Sequence, residues 1–194
     1  SAWRIFSAQG WSRLPKLECE SSATLGWMPK RRTSSAAISV ISAIASEGGK
    51  VVVADLDESA ARAVADALVE SGGTATSIRV DVTDRAQVRA MIEAAVETFG
   101  ALNVIFNNAG MNRPRSFMDV DADNFDEIVR VNTWGVIVCT QEAAKQMIAQ
   151  GRGGKIVNTG SIASRQGYWD FVPYCVAKFG TLAVTQATAR GLVE

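Results

Sequence analysis

Residues 50–73 read KVVVADLDESAARAVADALVESGG, and this stretch decides the class of fold. Its first part, 50–54, is a continuous apolar run of the kind found in a strand that is buried on both faces. Apolar residues then recur at helical spacing over 58–71, and two glycines at 72–73 favour an end to the helix. The stretch therefore predicts a buried strand followed by an amphipathic helix.

The same alternation continues on either side of this unit. A short helix is predicted over 36–47, further strands at 76–80, 102–106 and 155–158, and further helices at 88–99, 122–150 and from Pro173 onward. Strands that alternate with helices form a parallel sheet with helices on both of its faces. Right-handed crossovers then give a doubly wound, three-layer α/β/α domain, which we assign to residues 36–194.

Residues 1–35 differ in charge from the rest of the chain. They carry six basic and two acidic residues, so that a net charge of +4 is balanced by −4 over the remainder. No helical or strand periodicity is visible there, although the acid-poor composition with Arg and Ser weakly resembles a transit peptide. We interpret 1–35 as an atypical leader that is poorly ordered or foreign to the domain.

The composition of the 194 residues excludes several classes of function. There is no histidine, which excludes Ser-His-Asp and Cys-His nucleophile systems and His-ligated zinc, and we predict no metal site. The net charge of zero offers no general attraction for nucleic acid, and no apolar run approaches the roughly 20 residues of a membrane span. Cys19, Cys139 and Cys175 form no CxxC pair and are interpreted as reduced thiols of a cytoplasmic protein.

Ser161, Tyr174 and Lys178 form the strongest candidate catalytic group. Tyr174 and Lys178 are four residues apart on a predicted helix and share a face of it. Ser161 follows the strand 155–158, at the carboxyl edge where open parallel sheets place ligands. A tyrosine is a poor base at its ordinary pKa of about 10, but a nearby ammonium favours the phenolate. Without further context, a tyrosine and a lysine at this spacing are more typical of an ordinary amphipathic helix.

Asn132 adds weight to the catalytic interpretation. It falls inside a long apolar helical stretch, where an asparagine costs helix propensity and needs a hydrogen-bond partner once it is buried. It is either a satisfied core asparagine or a residue that holds water and extends a proton relay toward Lys178.

These residues stand in an order and at spacings that resemble one family. The motifs are Asn107-Asn108-Ala109-Gly110, Asn132, Ser161 and Tyr174-x-x-x-Lys178. Each motif is weak alone, but the four in this order resemble the short-chain dehydrogenase/reductase family over residues 36–194. The resemblance implies a Rossmann-like fold and an NAD(P)-dependent oxidoreductase that interconverts a secondary alcohol and a ketone.

The resemblance also implies a role for each residue. Tyr174 is implied as the catalytic acid and base, and Lys178 as the cation that favours its phenolate and binds the nicotinamide ribose. Ser161 is implied to orient the substrate oxygen, and Asn132 to complete the proton relay. Contacts to the cofactor are implied for Asn107, Ala109, Gly110, Tyr174 and Lys178, with Asp81 and Val82 beside the adenine.

Asp55, which directly follows the strand 50–54, favours NAD over NADP as the cofactor. A carboxylate at this point accepts hydrogen bonds from an adenosine ribose diol and repels a 2′-phosphate. No Arg or Lys adjoins Asp55 to bind that phosphate. The alternative for Asp55 is a helix N-cap, a position that Asp57 fills equally well.

The family pattern is not found at two places. Counting back from 50–54 reaches KRRTSSAA at 30–37 in place of a glycine-rich phosphate turn, and no glycine occurs between Gly26 and Gly48. Side chains there would keep backbone N–H groups away from a pyrophosphate. The sequence also stops within or just after the helix that begins at Pro173, where the family continues. We therefore expect a domain that is incomplete at both ends, binds dinucleotide weakly and turns over poorly.

The stretch 161–180 is most similar to polyol, acetoin and sugar-alcohol dehydrogenases of this family. The side chains that we expect to shape a substrate pocket are Met111, Asn112, Trp169 and Phe171, although the two aromatic residues are equally compatible with dimer or core packing. Two alternatives stay open: a 3-ketoacyl-thioester reductase, and a catalytically impaired fragment that acts as a binding or assembly module.

The resemblance further implies a homodimer or homotetramer formed through the helices at 122–150 and 173–191. The apolar positions that permit this are Val136, Val138, Met147, Val176, Leu182 and Val184.

Overall fold

The computed structural model describes residues 35–192, in which six α-helices and four β-strands alternate. The strands are β1 (Lys50–Asp55), β2 (Thr74–Arg79), β3 (Val104–Asn107) and β4 (Lys155–Asn158). The helices are α1 (Ser35–Ser46), α2 (Glu58–Glu70), α3 (Arg85–Phe99), α4 (Ala122–Val129), α5 (Gly135–Ala149) and α6 (Val172–Gly191). The predicted leader lies outside the described residues, apart from Ser35 at the start of α1, and so does the segment 30–34 that stands in place of a phosphate turn.

The four strands form two parallel pairs. β1 pairs with β2 so that Val51 lies opposite Ala75, and β3 pairs with β4 so that Ile105 lies opposite Ile156. The chain passes through α2 between β1 and β2, and through α4 and α5 between β3 and β4. Each pair is therefore one strand–helix–strand unit, as parallel pairing requires. The predicted strands occur with their ends displaced by no more than two residues.

Two apolar clusters cover opposite faces of the β1–β2 pair. Val51 and Val53 pack with Ala45 of α1 and with the buried face of α2, and Ala75 of β2 packs against the same cluster. Ile78, also of β2, packs instead against a second cluster built from α3, α5 and β3. Because successive side chains of a strand point to opposite faces, the two clusters lie on opposite sides of the β1–β2 pair. This strand pair therefore forms the middle layer of three.

The helix predicted over 122–150 is interrupted. A π-helical turn at Arg130–Trp134 joins α4 to α5, and Asn132 lies inside it with 1% of its surface exposed. Gly135, the residue that follows the π-helical turn, lies against Val82. A Cβ placed on Gly135 would lie 2.7 Å from Val82 Cγ2. Such turns are rare and often occur at functional sites. Periodicity alone did not predict this one.

The apolar residues proposed for an interface on α5 are used inside the chain. Val136, Val138 and Met147 are 5%, 0% and 5% exposed, and the last two pack with α3 and β3 in the second cluster. These three side chains therefore belong to this chain's own core, and the homo-oligomer stays a prediction. Val176 on α6 is 46% exposed.

The described residues add two observations on compartment and membrane. Cys139 and Cys175 are buried free thiols, and burial raises the pKa of Cys139 to about 12, whereas Cys19 lies outside the described residues. Between residues 35 and 192 we find no helix with the length and apolar character needed to cross a bilayer.

Candidate functional site

The candidate catalytic side chains lie beyond the carboxyl end of β4. Ser161 follows β4 closely as the N-cap of a 3₁₀ turn, Ile162–Ser164. Tyr174 lies in the first turn of α6, where Pro173 is accommodated because its missing N–H has no helical partner at that position. The 3₁₀ turn packs against α6. Two separate segments therefore bring Ser161 and Tyr174 to one edge of the sheet.

Lys178 is a buried cation one helical turn beyond Tyr174. It is 5% exposed, and its Nζ donates to the Thr159 carbonyl oxygen at 2.9 Å and lies 5.7 Å from the centroid of the Tyr174 ring. Loss of hydration on burial lowers the pKa of Lys178. The structure thus places a positionally fixed ammonium beside the tyrosine, on the helix face that the four-residue spacing predicts.

Ser161 is held by a reciprocal capping arrangement. Its Oγ accepts from the Ala163 N–H at 3.1 Å, while its own N–H donates to Ser164 Oγ at 3.2 Å. A hydroxyl that accepts one hydrogen bond keeps its hydrogen for donation to another group. Ser161 therefore presents a positioned donor at the carboxyl edge of β4.

Asn132 is a satisfied buried asparagine. Its Nδ2 donates to the carbonyl oxygens of Met111 at 2.7 Å and Ile128 at 2.9 Å, and its Oδ1 accepts from the Met111 N–H at 3.3 Å. Its backbone carbonyl accepts from Thr181 Oγ1 at 3.0 Å. The side chain thus attaches the loop after β3 to the π-helical turn. A relay role for Asn132 stays a prediction.

Asp55 and Asp57 have different roles at the end of β1. Asp57 is the N-cap of α2 and accepts from the N–H groups of Ser59 at 3.0 Å and Ala60 at 3.3 Å. The half-buried Asp55 accepts from the Asp57 N–H at 3.0 Å and caps no helix. The structure therefore assigns the capping role to Asp57 and not to Asp55.

The two residues implied beside the adenine follow β2. Asp81 Oδ1 accepts from the N–H and Oγ1 of Thr83 at 2.9 and 2.8 Å, and the Asp81 N–H donates to Gln87 Oε1 at 3.0 Å. The half-buried Val82 packs against the start of α5. Because β1 and β2 are parallel, Asp81 and Val82 lie at the same edge of the sheet as Asp55.

Asn107 differs from Ala109 and Gly110, the other residues of its motif that are implied to contact a cofactor, because it is buried. It is 8% exposed, and its Nδ2 donates to Asn158 Oδ1 at 2.8 Å and to Thr140 Oγ1 at 3.3 Å. Asn158 in turn donates to Thr185 Oγ1 at 2.9 Å. The sequence interpretation missed these hydrogen-bond partners of Asn107. The sequence did carry one signal for them, because each of the two apolar strands, β3 and β4, ends in an asparagine. Ala109 and Gly110, by contrast, are exposed.

No group of three or more His, Cys, Asp or Glu residues between 35 and 192 is arranged to hold a metal ion.

Comparisons with known proteins agree with this arrangement. A family model described as short chain dehydrogenase matches residues 37–194. Galactitol 2-dehydrogenase from Agrobacterium fabrum is 34% identical over 152 residues, which cover 78% of this chain and 58% of that protein. Sorbitol dehydrogenase from Cereibacter sphaeroides is 32% identical over 148 residues, which cover 76% and 57%. The chain therefore spans a little over half the length of these relatives.

A solved structure gives the same result for the fold. Gluconate 5-dehydrogenase from Burkholderia cenocepacia J2315, in complex with NADP and tartrate, superposes with a TM-score of 0.72 at 31% identity. The match covers 79% of this chain and 61% of that one. The predicted doubly wound α/β fold is confirmed.

Proposed function

The chain belongs to the short-chain dehydrogenase/reductase family, and from this premise we propose that it interconverts a secondary alcohol and a ketone with a nicotinamide dinucleotide. The observation that carries the proposal is the Tyr174–Lys178 pair, in which a buried ammonium lies 5.7 Å from the tyrosine ring. The names of two relatives, galactitol 2-dehydrogenase and sorbitol dehydrogenase, support the polyol, acetoin and sugar-alcohol class of substrate.

The residues of the chain account for the proton in this reaction. In the direction of oxidation, Tyr174 Oη accepts the proton of the substrate hydroxyl, and in reduction it returns a proton to the carbonyl oxygen. Ser161 donates a hydrogen bond to the same substrate oxygen. Lys178, held by the Thr159 carbonyl, supplies the positive charge that favours the Tyr174 phenolate. The nicotinamide, when bound, accepts or donates the hydride.

The chain offers cofactor contacts at the carboxyl ends of three strands. Asp55 is free of the capping role and suits the ribose diol of NAD, which we prefer to NADP. Asp81 and Val82 would lie beside the adenine. Ala109 and Gly110 expose backbone beyond β3, where Gly110 keeps a compact turn against Asn132.

We also infer a cytoplasmic homo-oligomer. The unpaired, buried thiols of Cys139 and Cys175 support a reducing compartment. The exposed apolar side chains Val176 and Phe179 on α6, 46% and 45% exposed, support a contact between copies through that helix.

The proposal is tested by NADH oxidation with diacetyl as the ketone. We expect Tyr174→Phe to lower the rate by about 10²–10⁴-fold, the usual contribution of general acid–base catalysis. Tyr168→Phe is the matched control, since it removes the phenolic hydroxyl of the other tyrosine and retains the ring that packs edge-on to Phe171. Its rate should stay within about twofold of the wild type, because the half-buried Tyr168 has no assigned role in the reaction and the substitution removes only one hydroxyl.

Equal rates for Tyr174→Phe and the wild type would show the proposal to be wrong. If neither protein oxidises NADH with diacetyl or a ketose, although both bind NADH in a calorimetric titration, the chain is the binding or assembly module rather than an enzyme.

A further inference from the structure

Two loops at the carboxyl edge of β3 and β4 are joined by aromatic side chains that the chemistry above does not use. The rings of Phe117 and Trp169 lie with their centroids 5.4 Å apart and their planes at 59°. Trp169 Nε1 donates to Ser116 Oγ at 3.2 Å, and the Arg115 N–H donates to the Asp170 carbonyl oxygen at 3.0 Å. We call Ser116, Phe117 and Trp169 the aromatic clamp.

The aromatic clamp is connected through the chain to the candidate catalytic group. Phe117 starts a 3₁₀ turn on the loop that follows β3, and Asn132 holds the beginning of that loop through Met111. Trp169 starts a second 3₁₀ turn that runs directly into α6, whose first turn contains Tyr174. The clamp thus connects the segment that follows β3 with the segment that follows β4 and leads into the helix of Tyr174.

The two rings leave apolar surface uncovered. Phe117 is 50% and Trp169 is 60% exposed, although both are held in place by the contacts just described. Because the indole N–H already donates to Ser116, the part of Trp169 that remains open is apolar. Met118 and Ile162, 77% and 68% exposed, are further apolar side chains on the same two connecting segments. A fixed, half-exposed aromatic pair is suited to stack against a planar group.

Charge at the loop after β3 disfavours an acidic ligand. Arg113 forms an ion pair with Glu127 at 2.6 Å, and Arg115 forms one with Asp121. Each positive charge on this loop is therefore offset by a carboxylate, so neither arginine offers an unopposed cation to a carboxylate or phosphate group. The arginines of the loop after β3 therefore give an acidic ligand no advantage over an uncharged one.

We propose that the aromatic clamp determines substrate specificity by binding an apolar, planar substituent of the ketone or alcohol whose oxygen lies between Ser161 and Tyr174. The inference rests on the proposed function for the identity of the reacting group, and it names the part of the substrate that lies beyond the reacting carbon. The proposed substrates therefore include aryl-substituted secondary alcohols and ketones as well as small polyols.

The test uses equilibrium binding of three ketones that share one skeleton. Butanone carries no substituent, benzylacetone adds a phenyl ring, and levulinate places a carboxylate where the ring would be. Dissociation constants are measured by ligand-observed NMR titration of the full chain. Stacking of one ring on the clamp should make benzylacetone bind about tenfold more tightly than butanone. Levulinate should bind no more tightly than butanone.

Variants then assign the ring-dependent binding to the aromatic clamp. Trp169→Ala should reduce the difference between benzylacetone and butanone to less than about twofold, because the stacking surface is lost. Phe117→Leu, which keeps the apolar volume and removes the second ring, should reduce it in part. Trp134→Ala is the control, since Trp134 is 43% exposed on the π-helical turn and lies outside the clamp.

Three outcomes would overturn the inference. They are equal binding of benzylacetone and butanone by the wild type, tighter binding of levulinate than of benzylacetone, and an equal effect of Trp134→Ala and Trp169→Ala. The first two need no variant, so they stand even if a substitution disturbs folding. Because binding requires no hydride transfer, the ring preference can hold or fail independently of the rates measured for Tyr174→Phe.

Discussion

Replacement of Glu142 by Gln tests the interaction that joins α3 to α5. Glu142 is 5% exposed and accepts from Arg85 Nη1 at 2.6 Å, Arg89 Nε at 3.3 Å and Lys145 Nζ at 2.8 Å. The hydrogen bond from Lys145, followed by those from Arg85 and Arg89, lowers the pKa of this carboxyl from 4.5 to about 2. Glu142→Gln keeps the shape of the side chain and removes the charge that all three cations contact.

The lowered pKa of Glu142 sets the size of the stability change that we expect for Glu142→Gln. Lowering it from 4.5 to about 2 corresponds to an upper limit of about 3 kcal/mol of stability at neutral pH. The cations are 36%, 55% and 65% exposed, so solvent screens the attraction. We therefore expect Glu142→Gln to lower the free energy of unfolding by about 2 kcal/mol at pH 7.

The sign of the pH dependence follows from the same pKa. The carboxyl has a lower pKa in the folded protein than in the unfolded chain, so its contribution is fully present above pH 4.5. The contribution is lost as the pH falls toward 2, where the folded protein also binds the proton. Urea unfolding of wild type and Glu142→Gln, followed by circular dichroism, should show curves that differ at neutral pH and converge in acid.

A matched control separates this network from an ordinary surface pair. Glu127→Gln makes the same change in an ion pair with Arg113, where the two side chains are 39% and 61% exposed. Such pairs contribute about 0–1 kcal/mol. The reasoning is refuted if Glu142→Gln is no more destabilising than Glu127→Gln at neutral pH, or if its effect is the same at pH 7 and at pH 3.

Four further substitutions, one of them a control, test the loop after β3 and the two carboxylates at the end of β1. Gly110→Ala places a Cβ 2.6 Å from Asn132 Oδ1, which accepts a hydrogen bond from the Met111 N–H, so thermal melts should show a loss of stability of about 1–3 kcal/mol. Gly167→Ala is the control: its Cβ would lie in open space, and its stability should match that of the wild type. Asp57→Ala removes the cap of α2 and should cost about 1 kcal/mol. Asp55→Ala should destabilise less yet weaken NADH binding in a calorimetric titration, and the opposite pattern would contradict our assignment of the two carboxylates.

Local signals in the sequence predicted much of the fold. The apolar run at 50–54 identified β1, because a strand that is buried on both faces is apolar at successive positions. The spacing of apolar residues over 58–71 identified α2, because a helix that is buried along one stripe is apolar at every third or fourth position. The end of α3 was also predictable, since Gly100 adopts a φ of 88° that favours glycine. Such features depend on neighbours within a few residues of the chain.

Features made by distant residues were not predictable in the same way. In the sequence, Glu142 is simply one polar residue of α5, and its partner Arg85 lies far away on α3. Phe117 contacts Trp169 only because β3 and β4 are adjacent. The π-helical turn at Arg130–Trp134 is similar, since Asn132 within it is satisfied by Met111 on the loop after β3. Sequence periodicity carries no information on such partners.

The position of Lys178 depends on how β3 and β4 are paired. Its Nζ bonds to the carbonyl oxygen of Thr159, whose N–H donates to the Asn107 carbonyl at 3.0 Å and whose Oγ1 donates to Asn108 Oδ1 at 3.0 Å. Because a slip of one residue between β3 and β4 would turn each of these groups to the other face, the register sets where the ammonium lies beside Tyr174. The paired asparagines therefore act on the proposed reaction through the geometry of the sheet.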